Sequence, residues 1–185
     1  MSDFIGLCLD LCHQAVEFED IPASIDLLEQ DGIRINKVHI TNAVELQNPA
    51  ENSEGRRALL SYVEPRYLHQ TCARFRDGGV RTRMDLIADD IQRQPVDEFL
   101  QAECWRVHFH VPVFAESLGP LTTTRSDLCS VLRCVAGLSY APHLEVETYT
   151  WPVMPEGRRV PFSRADRIAG ELQAAADMIA EAERA

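Results

Sequence analysis

The chain is short of basic charge and has no concentrated patch of it. Among 185 residues, 18 Lys and Arg face 29 Asp and Glu, giving a formal charge of −11 and a sequence pI of about 4.9. The basic residues are scattered, with only short pairs such as Arg56-Arg57 and Arg158-Arg159. Phosphate backbones require a concentrated cationic surface, so nucleic acid is excluded as the main partner. No segment approaches the roughly 20 consecutive apolar residues of a membrane span. No N-terminal signal peptide is legible, because Asp3 precedes a short apolar run that soon meets Asp10. The 6 cysteines, at 8, 12, 72, 104, 129 and 134, form no CxxC pair, which argues against a zinc ribbon or a thioredoxin motif. They read best as reduced core thiols of a cytoplasmic protein, although Cys12 beside His13 also has the chemistry of a soft metal ligand. Internal repeats and low-complexity tracts are absent from the sequence.

What is present is ordinary in bulk. Apolar residues make up 45% and charged residues 25%, enough for a single domain spanning 1–185 with a sizeable core. Phe4 to Asp10 is a continuous apolar run, the pattern of a strand covered on both faces. A loop is expected next, then a helix over 21–30 with Pro22 at its start and Gly32 beyond its end. Ile33 to Thr41 reads as a second strand. The polar stretch from Asn42 to Gly55 reads as a loop, and 54–63 as a helix ending before Pro65. Tyr67–Phe75 and Val80–Leu86, separated by Asp77-Gly78-Gly79, predict a hairpin inserted over 66–86. A helix over 87–94 and a short turn at 95–100 follow. Trp105–Val113 alternates strictly and reads as a strand. Leu118–Thr124 is expected to be a loop, 126–137 an amphipathic helix with Thr124 and Asp127 resembling a capping box, and His143–Trp151 the last strand. A Pro/Gly-rich link then leads to a long Ala-rich helix opened by Ser163 and Asp166.

Alternation of this kind predicts an α/β fold, a partial (β/α) TIM-type barrel with about four principal parallel strands, outer helices and the inserted hairpin. A closed barrel needs about 250 residues. The expectation is therefore the C-terminal half of a barrel, its open edges and inner face covered by an N-terminal half-barrel or by a homo-oligomer.

The chemistry is expected at the C-terminal ends of the strands. Strand interiors rarely tolerate charge unless it is paired or bound to metal. Yet the first strand closes on Asp10 with His13 just beyond, the second carries His39, the third His108 and His110, and the fourth Glu145 and Glu147. Residues two apart share a face, so His108 sits with His110 and Glu145 with Glu147. Asp10, His39, His110 and Glu147 would meet at one mouth as a nitrogen/oxygen set suited to a divalent ion such as Mn, Zn or Fe. A lone strand histidine is more often a hydrogen-bonded core residue than a ligand. His110 and Glu147 stand out because each has a like partner two positions earlier. Glu145 and Glu147 repel unless a cation or an arginine lies between them, and Arg106 is expected to face the wrong side for that. His13 and Glu147 are the candidate catalytic groups. His13, His108, Glu145, Thr123 and Trp151 are candidate substrate contacts: Thr123 lies in the Gly119–Arg125 stretch that suits an anion, and Trp151 is able to stack on a planar ligand. His69 is expected to have a structural or lid role.

Asp10-Leu-Cys-His13 resembles the Asp-x-x-His signature of the xylose isomerase-like TIM barrels. The stretches CLDLCHQAVEFED, IRINKVHITNA, RYLHQ, WRVHFHVPVF, LGPLTTT and HLEVETYTW resemble more closely the EboE metabolite traffic family of that superfamily. The resemblance implies a metal-dependent barrel that moves or processes a secondary-metabolite precursor, with Asp10 and Glu147 as metal carboxylates, His39 as a ligand and His13 as a substrate contact. The family pattern does not specify a reaction; enzymes of the wider superfamily use the metal to polarise a sugar carbonyl and an adjacent hydroxyl, which makes isomerisation or epimerisation of a small sugar-like hydroxy-carbonyl compound the first expectation. Two features depart from the superfamily: a further metal carboxylate on an earlier strand is missing here, and the 66–86 hairpin is additional. The alternatives are a non-catalytic metabolite-binding or escort protein and a metal-dependent phosphoesterase.

Overall fold

The computed structural model describes residues 5–86, 88, 91, 98–155 and 163–184. Most of the helix expected over 87–94, the start of the turn after it and part of the link after Trp151 thus lie outside the described residues.

The first strand, β1 (Leu7–Asp10), runs without a loop into a short helix, α1 (Leu11–Val16). Asp10 makes that junction. Its Oδ1 accepts the backbone N–H groups of Cys12 at 2.9 Å and His13 at 3.1 Å, satisfying two of the donors a helix start leaves unpaired. Helix α2 (Ile21–Gln30) is capped by Asp20, with Pro22 in its first turn, where a missing N–H is harmless. Strand β2 (Ile35–Ile40) follows, and after the single residue Thr41 the chain enters β3 (Asn42–Gln47). Helix α3 (Ser53–Leu59) ends in a 3-10 turn at Leu60–Tyr62. Strands β4 (Thr71–Arg74) and β5 (Val80–Arg83) form the expected hairpin. A 3-10 turn at Glu98–Gln101 leads into β6 (Cys104–Val111). Strands β7 (Ser117–Leu118) and β8 (Leu121–Thr123) form a second, tight hairpin where a loop was expected, and Gly119 supplies its left-handed turn at φ 64°. The chain closes with α4 (Arg125–Ala136), β9 (His143–Val146) and α5 (Arg164–Ala182). The Ser163–Asp166 capping box forms as expected. Thr124 is the N-cap of α4 but makes no side-chain cap bond, because its hydroxyl accepts from the Ala43 N–H and donates to Asn42 Oδ1.

Two sheets result. One has three parallel strands in the order β1-β2-β9, and the other six strands in the order β5-β4-β6-β3-β8-β7, paired antiparallel. This corrects the expected partial TIM-type barrel. Three of the four principal strands are parallel, but β6 lies antiparallel between β3 and β4, and neither sheet closes. The physical cause is that 42–47, polar enough to read as loop, is a buried strand. It follows β2 too closely for the crossover that parallel neighbours need. The hairpin is not an insertion either, since β4 pairs with the other edge of β6.

Each sheet has its own core. The antiparallel sheet packs Val44, Leu46, Trp105, Val107 and Phe109 against Leu59, Tyr62 and Leu100. The parallel sheet packs Leu9, Ile35, Val38 and Ile40 against α2, α4 and α5 through Ile25, Leu128, Leu132 and Met178. The opposite face of the parallel sheet is polar and partly open, carrying Cys8 and Asp10, Lys37 and His39, and Glu145.

Candidate metal centre

The topology still brings the strand ends together. Parallel pairing sets Asp10 opposite His39 and His39 opposite Glu145. Because β3 continues β2, the antiparallel partner β6 delivers its own end to the same place, with Val111 opposite Asn42 and His110 opposite Ala43.

Three of the four expected ligands form one cluster. His39 Nδ1 lies 3.2 Å from Asp10 Oδ2 and 2.9 Å from Glu147 Oε2. One ligand atom from each of these residues falls within 4.8 Å of the others, so the trio can hold a metal ion. Without one, a single imidazole N–H stands between two carboxylates, the position a shared cation suits better. Burial pushes the Asp10 carboxyl up, but the His13 N–H and the His39 ring outweigh it and hold the group below the usual carboxylate range. Asp10 is therefore anionic at neutral pH.

The fourth expected ligand, His110, belongs to a neighbouring group. Its Nδ1–H donates to the backbone carbonyl of Glu147, and its Nε2 lies 3.3 Å from His108 Nε2. Cys12, His108 and His110 form a second trio whose ligand atoms lie within 4.8 Å of one another. Burial, with His110 and His13 alongside, pushes His108 down to about 4, and burial also lowers His110. Both rings are neutral at physiological pH, with lone pairs available. Burial, reinforced by Asp10 and Glu147, pushes the Cys12 thiol well up. Thr41 helps to place Cys12, its hydroxyl accepting the Cys12 N–H at 2.8 Å.

His13 is exposed on α1, and its ring stacks on His108 with centroids 4.1 Å apart. It thus stands at the rim, beside both trios. Tyr149 packs on His110 at 4.6 Å, and burial pushes its phenol up to about 12, leaving a neutral donor there.

The other expected site residues are engaged with other partners. Glu145 pairs with Lys37 on the open sheet face. The Thr123 hydroxyl is taken up by the Ala115 carbonyl at 2.6 Å. Trp151 donates its Nε1–H to Glu171 at 2.7 Å, and Arg167 lies over its ring. His69 is buried against Phe109, with Asp85 and Glu64 near its two ring nitrogens. Arg106, expected to face away from the histidines, shares their side of β6. It reaches α1 through the Ala15 carbonyl, and its charge is taken by Glu45 at 2.8 Å and Asp127 at 2.7 Å.

Cys12 is the residue that the sequence reading underweighted. The signal lay in the helical spacing of Leu11, Cys12, Ala15 and Val16 directly after Asp10, which turns Cys12 inward beneath the strand ends.

No family model, no curated protein and no solved structure matches this chain.

Proposed function

We propose that this chain is a divalent-metal-dependent protein of the EboE-like kind, which takes a small sugar-like or secondary-metabolite precursor and isomerises or epimerises it. The observation that carries the reading is the meeting of Asp10, His39 and Glu147 around one point. Two carboxylates and an imidazole suit Mn, Zn or Fe. A bound ion of this class polarises a carbonyl and an adjacent hydroxyl. The chain's own residues supply the rest. Asp10 is held ionised and oriented by the start of α1. Glu147, at the exit of β9, is a ligand or a proton carrier, and exposed His13 is the group best placed to contact substrate. A net charge of −11 disfavours the phosphoesterase alternative on a polyanionic substrate.

A second reading, a non-catalytic metabolite escort, is favoured by one fact. Asp10 and Glu147 are both engaged by His39, so His13 is left as the free proton-transfer group. Two measurements decide. Metal analysis after native purification should find bound Mn, Zn or Fe that falls in Asp10→Ala, His39→Ala and Glu147→Ala. Unchanged occupancy in all three sinks the site. Incubation of the loaded protein with hydroxy-carbonyl sugars in D2O should place deuterium on carbon, whereas ligand binding without exchange selects the escort.

A further inference from the structure

The second trio is a site in its own right. We propose that Cys12 Sγ, His108 Nε2 and His110 Nε2 bind a thiophilic ion, Zn²⁺ by the chemistry of the set, next to the Asp10/His39/Glu147 position but separable from it. The inference goes beyond the proposed reaction and does not depend on it.

Three observations converge. First, the tautomer of His110 is determined by its partner. A carbonyl only accepts, so the Glu147 carbonyl requires the proton on His110 Nδ1, leaving Nε2 as a lone pair. Metal-binding histidines are held in the same way, by a hydrogen bond at the other ring nitrogen. Second, that lone pair is aimed at His108 Nε2, 3.3 Å away, and the stacked His13 ring holds the His108 plane. Third, Cys12 is fully buried, and its Sγ has no hydrogen-bond partner among the described residues. The five other thiols each meet a polar or sulfur partner: His39, Thr82, Gln47, Met178 or the Ser130 carbonyl. One sulfur and two imidazole nitrogens form a soft set that selects Zn²⁺ over Mg²⁺ or Mn²⁺.

The protons balance without an oxidant or reductant. Binding releases the Cys12 thiol proton to solvent, and the His108 proton, which in the metal-free chain sits on Nε2 and is donated to His110 Nε2, is exchanged through solvent to Nδ1 so that Nε2 can ligate. Asp10 and Glu147 join the two positions physically. Asp10 offers Oδ2 to His39 and Oδ1 to the Cys12 N–H. Glu147 offers Oε2 to His39 and its carbonyl to His110.

The test is titration of the metal-free full chain with Co²⁺, a spectroscopic substitute for Zn²⁺, read by near-ultraviolet absorption. The expected result is a thiolate-to-metal charge-transfer band that Cys12→Ala abolishes and Cys8→Ala retains. His108→Gln, on the more accessible side of the trio, should also abolish it, which covers the chance that the buried Cys12 variant folds poorly. Glu147→Gln removes a carboxylate from the first trio but keeps the carbonyl that His110 uses, so it should lose one equivalent of metal and retain the band. A wild-type protein without the band, or a band that survives Cys12→Ala, overturns the site. Loss of all metal in Glu147→Gln overturns its separability. Failure of the proposed reaction itself appears instead as a retained band without deuterium exchange.

Discussion

Glu147 and His110 meet through the main chain: the Glu147 carbonyl accepts the His110 Nδ1–H while the Glu147 carboxylate lies 2.9 Å from His39. One residue thereby serves two neighbouring clusters, by its backbone for one and its side chain for the other. Glu145, two positions earlier and opposite His39 in the strand register, turns its carboxylate to Lys37 instead.

That difference makes a paired prediction. Glu147→Gln should weaken metal binding at the Asp10/His39 position by at least about tenfold, the loss typical of disturbing even an outer-shell partner. Glu145→Gln breaks only the Lys37 ion pair, whose side chains are 34% and 43% exposed. It should leave metal affinity and the urea midpoint close to wild type, because solvent screens an exposed ion pair. Calorimetric titration of both variants with Mn²⁺ and Zn²⁺ checks this; equal effects would show that the two carboxylates are not distinguished.

Arg106 and Glu45 are each 8% exposed and joined at 2.8 Å. Arg106 also bonds Asp127 and the Ala15 carbonyl, tying β6 to α4 and α1. Arg106→Met strands the Glu45 carboxylate beneath the sheet and should cost about 3–5 kcal/mol in urea denaturation. The double variant Arg106→Met/Glu45→Leu should recover much of that loss. A double variant no better than the single would mean that the packing of the arginine stem, and not the uncompensated charge, decides.

Glu171 is a buried carboxylate on α5 with three donors on it: the Val113 N–H, the Thr148 hydroxyl and the Trp151 indole N–H. Burial nevertheless holds its pKa above the ordinary glutamate value. The folded chain therefore keeps this proton at pH values where the unfolded chain has lost it. The stability contribution is full below the unfolded value and falls as pH rises through the folded one. Comparing urea midpoints across that window, the wild type should lose stability with rising pH relative to Glu171→Gln. A difference curve that is flat, or that slopes the other way, refutes the assignment. Glu171→Ala, which leaves the buried Val113 N–H and the half-buried Thr148 and Trp151 donors without this acceptor, should be the more destabilising change, by about 1–3 kcal/mol for a donor that finds no water.

The ends of β1, β2 and β9 were legible because Asp10, His39 and Glu147 interrupt apolar runs, where charge needs a reason. The architecture was not. Whether Trp105–Val113 pairs parallel or antiparallel is decided by its neighbours, and both neighbours were hard to see. Strand β3 hides behind Asn42, Glu45 and Gln47, whose polarity suggests a loop. The burial of Asn42 and Glu45 is explained by distant partners: Asn42 donates to the Pro112 and Ala115 carbonyls, and Glu45 meets Arg106. Strand β4 was expected within a hairpin but not as a neighbour of β6. Side-chain alternation reports which residues share a face and says nothing of strand direction. Helix α1 was missed because six residues are too few for a convincing period, although Asp10 is an ordinary helix cap.

The approach of β1 to β2 offers a final test of how tightly the site is built. The Leu7 N–H donates to the Arg34 carbonyl at 2.8 Å, which brings the preceding residue, Gly6, against that strand. A Cβ at Gly6 would stand 2.4 Å from the Arg34 carbonyl oxygen and 2.7 Å from Asn36 Cγ. The first neighbour is backbone, so side-chain rotation cannot relieve the contact. Gly6→Ala must push β1 away from β2 at its start, four residues before Asp10, and should cost about 1–3 kcal/mol, the usual penalty for overpacking. If the Asp10–His39 geometry depends on that register, metal affinity should fall along with stability although no ligand has changed. A variant that loses stability but keeps wild-type affinity would instead show that the α1 cap, with both Asp10 hydrogen bonds intact, is enough to hold the carboxylate in place.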